Sequence, residues 1–147
     1  MDLNTINTTI SKTFYKNDMI LLGSYDENTV GVTLDGFVMW FIPEPKFLFD
    51  KGKLLQNRDE IDINRYVKTN GYKEAVRSNI LVAFNKKTLT SFKNDDTEVY
   101  VDTKLLKVFD PKLSTFKIKN NVSGVLVYEG DTLVGIVMPT RYNENNK

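Results

Sequence analysis

The decamer YVDTKLLKVF, residues 100–109, changes period within itself. Through Val101 it continues an alternation that begins at Thr97, the pattern of a strand whose side chains point to two faces. From Lys104 the spacing becomes helical. Leu105, Leu106 and Phe109 fall on one side, and Lys104 and Lys107 on the other. Asp102 or Thr103 can cap such a helix, and Asp110-Pro111 closes it, because the residue before proline is pushed out of the helical region. Three apolar runs follow: Phe116–Lys119, Gly124–Tyr128 and Thr132–Met138. The last two form a hairpin around Glu129-Gly130-Asp131.

The same order occurs at the start of the chain. Leu3, Ile6, Ile10 and Phe14 recur at the period of one helix face and predict an amphipathic helix over residues 3–16. Three strands should follow, Met19–Tyr25, Thr29–Leu34 and Phe37–Ile42, the last two joined by the hairpin signal Asp35-Gly36. Between the two halves, residues 43–79 read as an irregular insertion: Pro43 and Pro45 break the chain, Lys51-Gly52-Lys53 is a turn, and residues 63–68 have some helical character. Strands resume with Asn79–Phe84 and Thr88–Phe92. The expected fold class is α+β, an antiparallel sheet with two helices on one face and two similar halves. One domain should cover residues 1–142, with a polar tail from Asn143 to Lys147.

Composition narrows the function. The chain has 147 residues with 41% hydrophobic and 27% charged, values of a globular domain able to bury one core. It has no cysteine and no histidine. Disulfides, thiolate zinc sites, cysteine nucleophiles and the usual neutral-pH base are thereby excluded. A binding protein is expected, not an enzyme, with no catalytic residues, no metal and no cofactor. The formal net charge of +1 gives no strong overall field, so nucleic-acid binding would need a local patch. The first residues lack a signal-peptide pattern, and the longest apolar run, residues 37–43, is too short to span a membrane. A cytoplasmic location follows as an expectation. The richness in Lys, Asn and Ile fits an AT-rich genome, such as that of a low-GC bacterium or its phages.

Other motifs favour bland readings. The eight glycines are read as single turn residues, and no phosphate-binding loop occurs; Gly52-Lys53 lacks the upstream glycine. The carboxylates Asp59, Glu60 and Asp62, and Asp95, Asp96 and Glu98, match solvated turns and a helix N-terminus, and neither follows a calcium-loop pattern. Trp40 lies in a strand apolar on both faces, Val38, Trp40 and Ile42 against Phe37, Met39 and Phe41, which predicts a buried central strand. Lys12 and Lys16 on the first helix, and Lys104 and Lys107 on the second with Lys112 beyond it, should face outward. They are either solvated surface or a contact to a nucleic-acid backbone.

Taken together, the strand–helix unit at 100–109, the strands after it and the close Gly135-Ile-Val-Met-Pro-Thr-Arg-Tyr resemble the final half of a bacterial DNA sliding-clamp domain. The likeness is clearest over residues 97–142. Clamp chains carry three such domains and close in Met-Pro-Met-Arg-Leu; this chain holds one, and Thr140 stands where the family has methionine. The resemblance implies a processivity factor of DNA replication. Several copies would form a homo-oligomeric ring around duplex DNA, with Lys12, Lys16, Lys104, Lys107 and Lys112 facing the phosphates. It also implies a peptide-binding strand in which Ile136, Val137, Met138, Pro139 and Arg141 match the family and receive a protein partner. The alternative is a small phage- or plasmid-type interaction protein that inhibits or modulates a host protein without touching DNA. No membrane partner is expected.

Overall fold

A computed structural model describes residues 1–56 and 58–142. The polar tail of the sequence reading, residues 143–147, lies outside the described residues.

The first helix, α1 (Leu3–Tyr15), forms where the period placed it. Ile6 and Ile10 are its fully buried stripe. Asp2 caps it, accepting from the Thr5 amide at 3.1 Å and the Thr5 hydroxyl at 2.6 Å. Thr8, Thr9 and Thr13 return their hydroxyls to the carbonyls four residues back, so a threonine-rich stretch stays helical without stranded donors. Three strands follow as a meander: β1 (Leu21–Asp26), β2 (Thr29–Thr33) and β3 (Val38–Pro43). A five-residue helix, α2 (Lys51–Leu55), comes next, capped by Asp50.

The second half contains β4 (Lys73–Phe84), β5 (Lys87–Lys93), β6 (Glu98–Asp102), a 3-10 helix at Thr103–Leu106, and a second meander, β7 (Ser114–Ile118), β8 (Val125–Glu129) and β9 (Thr132–Val137). All nine strands form one antiparallel sheet in the order β1-β2-β3-β9-β8-β7-β4-β5-β6. The two meanders therefore meet by their last strands, β3 against β9, in a mirrored order. Helix then meander occurs twice, which is the repetition expected from the sequence. Beyond β9 the Thr140 amide donates to the Tyr100 carbonyl at 2.8 Å, so the curled sheet meets itself at β6.

The inner face carries the main core. Ile6 and Ile10 of α1, Leu54 of α2, and Leu106 and Phe109 beside the 3-10 turn all pack there against Val32, Trp40, Val101, Phe116 and Val127. The α+β class with its helices on one face is therefore observed. Trp40 is buried with Val38 and Ile42 on this side, while Phe41 and the partly buried Met39 belong to the opposite core, as a central strand requires; Phe37, expected with them, precedes β3 and is exposed. The outer core is smaller: Phe41, Ile63, Leu126, Leu133 and Ile136.

Three expectations need correction. The helix at 104–109 is instead a 3-10 turn of four residues, Thr103–Leu106. Leu105 and Leu106 both have to reach the core from adjacent positions, and Asp110-Pro111 keeps the chain from continuing as a helix. The irregular insertion ends earlier than 79, since β4 starts at Lys73, and it contains α2 where a turn was expected. Nor are all glycines turn residues: Gly23, Gly31 and Gly135 lie within strands.

Candidate functional site

The insertion shapes the outer face. From Arg58 the chain crosses the first meander as a strap. The Ile61 amide donates to the Leu22 carbonyl at 2.9 Å, and Ile63, fully buried, is the anchor. It sits over two glycines. A Cβ at Gly23 would lie 2.2 Å from the Ile61 carbonyl oxygen, and one at Gly31 2.9 Å from the Ile63 Cδ1. Only strands bare at those two positions let the strap lie this close. After Ile63–Arg65, a single 3-10 turn, the strap continues through Lys68 to Tyr72. There the phenol donates to the Gly124 carbonyl at 2.8 Å.

Strap and sheet enclose an open cavity of about 520 Å³. Its floor is apolar: Leu21, Met39, Leu126, Ile136 and Met138. Gly124 belongs to it as well, and a Cβ there would come within 2.6 Å of Ile136 Cγ2. Tyr66, Arg65 and Lys68 from the strap, and Lys119 beyond β7, stand around the opening. All four are exposed. Among the described residues none of the three cations is ion-paired and no carboxylate lines the cavity. The acids adjoining lining residues in sequence are engaged elsewhere: Asp35 and Asp62 accept backbone amides in their own turns, Phe37 at 2.9 Å and Asn64 at 3.2 Å, and Glu60 reaches Lys51. Burial of the Tyr72 phenol, its largest influence, raises its pKa above the usual 10.0, so it stays a neutral donor.

The residues singled out from the sequence do not come together in one place. Ile136 and Met138 line this cavity. Val137, between them, points to the inner core and is fully buried, as alternation along β9 demands. Arg141 lines a second, more polar cavity of about 390 Å³, with Tyr100, Thr140 and Tyr142. Pro139 is half-buried and lines neither cavity. On the opposite face Lys12, Lys16, Lys104, Lys107 and Lys112 are all exposed. The Asp2 amide donates to the Val108 carbonyl at 2.7 Å, so Lys107 sits at the N-terminal end of α1. Lys12 lies about 15 Å further along that helix, from a rise of 1.5 Å per residue.

The two carboxylate clusters do not converge. Glu60 reaches Lys51, Asp96 pairs with Lys73 at 2.8 Å, and Glu98 accepts from the Tyr100 phenol. Among the described residues no three metal-ligating side chains come together, and no helix is long and apolar enough to cross a membrane. The wall and rim residues Arg65, Tyr66, Lys68, Tyr72 and Lys119 escaped the sequence reading. Their signal is the pair Gly23 and Gly31, strand glycines that need a chain lying over them. Compared with protein-family models, with curated proteins and with solved structures, the chain matches none.

Proposed function

We propose that this chain is a non-enzymatic binding module of sliding-clamp type, taking a partner peptide in the outer cavity and presenting its helix face to duplex DNA. The observation that carries the reading is the cavity: an apolar floor built from the C-terminal strand, Ile136 and Met138, with a few polar groups at its mouth. Its size falls in the range of about 300–1,000 Å³ usual for ligand sites. The strap lies over the sheet on the cavity side, and the helical segments that carry Lys12, Lys104 and Lys107 pack on the other, the division such a module needs.

Assembly into a ring also has support. The outer edge of β1 is covered by the strap at Ile61, and that of β6 by Thr140. β4 pairs with β7 only over Lys73–Ala75, so among the described residues its edge from Val76 onward faces no strand on that side. Val76, Ile80 and Leu81 there are 76%, 75% and 55% exposed, an edge suited to another copy of the chain.

Duplex-DNA binding, measured at about 50 and 200 mM salt, tests the reading. Wild type should bind, with affinity falling steeply with salt. The variant with Lys12, Lys16, Lys104 and Lys107 changed to Ala should lose binding, its salt slope lower by roughly one per lysine, while Met138→Glu binds DNA as wild type does. Absence of wild-type binding at the lower salt contradicts the DNA half and favours the interaction protein that acts on a host partner alone.

A further inference from the structure

We propose that the outer cavity selects a peptide whose apolar anchors are flanked by acidic residues, with Arg65, Lys68 and Lys119 as the selecting groups. The inference rests on the binding-module reading and adds the chemistry of its partner. Charge asymmetry carries it. The molecule as a whole is nearly neutral, yet among the described residues the cavity mouth holds three cations without an ion pair and no carboxylate lines it. Such an arrangement favours an anionic partner and repels a cationic one. The charges gather on one side. Arg65 and Lys68 belong to the strap, and the aliphatic stem of Lys119 lies against the Gly71 turn, 3.3 Å from where a Cβ would sit. The other side is apolar, with Met39, Leu126, Ile136 and Met138. A ligand that fits both has apolar groups at one end and carboxylates at the other.

A peptide fits better than a lipid tail because the apolar surface does not close into a tunnel. It continues onto Tyr66 at the rim, and Phe37, next in sequence to the lining residue Gly36 and bonded through its carbonyl to the Met138 amide, is a second exposed apolar residue bordering it. These side chains are 63% and 59% exposed. An extended chain can cover them with successive side chains, whereas one acyl tail in the cavity leaves them wet.

The experiment is selection of the whole protein against a displayed library of random dodecapeptides. Wild type should enrich peptides that pair Leu, Ile or Phe with nearby Asp or Glu. The variant R65E/K68E/K119E should bind those peptides at least tenfold more weakly and enrich Lys- or Arg-bearing ones instead. All three positions are exposed, and circular dichroism checks that the variant is folded. Met138→Glu, at the apolar end, should weaken the same peptides. Apolar peptides without an acidic bias, bound equally by the triple variant, overturn the charge inference and leave the cavity reading standing. No enrichment, or enrichment indifferent to Met138→Glu, overturns both. Stabilisation by sodium dodecanoate with no peptide enriched overturns the inference in favour of a lipid.

Discussion

Gly124 has no room for a methyl group: the new carbon would stand 2.6 Å from Ile136 Cγ2. Gly124→Ala should therefore destabilise by about 1–3 kcal/mol, the cost of overpacking, read as a lower urea midpoint. It should also weaken peptide binding, because Ile136 is the floor. Tyr72 gives a pH test. Its folded pKa is raised above 10.0 by burial, so its contribution is fully present below pH 10.0 and is lost as pH rises through the folded value. Across that window the unfolded chain releases the proton first. Wild type should lose stability more steeply than Tyr72→Phe in alkaline urea titrations. At neutral pH the substitution should cost about 1 kcal/mol, for the lost bond to the Gly124 carbonyl. A parallel pH dependence in the two proteins would show that Tyr72 titrates as in water. The sequence hid these close contacts because a glycine that admits a neighbouring chain looks the same as one that makes a turn. Gly36, at φ 80, was readable only because Asp35 precedes it.

The strap and the lysine face are the elements on which the proposed function depends, and they differed in legibility. The amphipathic period of α1 and the hairpins at Asp35-Gly36 and Glu129-Gly130-Asp131 were legible from local pattern alone. Residues 43–79 were not, because a strap lying across a sheet has neither period. Its one strong signal, Ile63, is a single buried residue amid exposed polar neighbours. β4 was clipped for a related reason: its register shifts between Arg77 and Leu81, which breaks the alternation. Ile63→Ala should cost about 2–5 kcal/mol, the usual loss for a fully buried isoleucine. Amide exchange should accelerate across residues 61–67, with α1 unchanged in any remaining folded state. Uniform acceleration would mean that the strap is no separate unit. The quadruple lysine variant should behave oppositely. Its positions are exposed, so stability should stay within about 0.5 kcal/mol of wild type in urea, and a larger loss would mean that these side chains support the core.

For the whole molecule, the repetition of a helical segment then three strands was the most legible feature, whereas the mirrored order in which the two meanders meet, β3 against β9, does not follow from that repetition. The position of the cavity was not legible, since it needs strap and C-terminal strand on the same face, a relation between segments about seventy residues apart. On the proposed reading the partner sits on the outer face. Methyl-resolved NMR of the protein, titrated with the dodecapeptide most enriched in the selection, is the sharpest test. Shifts are expected at Leu21, Met39, Ile61, Leu126, Ile136 and Met138, with Ile6 and Ile10 beneath α1 unmoved. Shifts confined to the helix face or to the exposed edge of β4, with the cavity methyls unmoved, would contradict that reading.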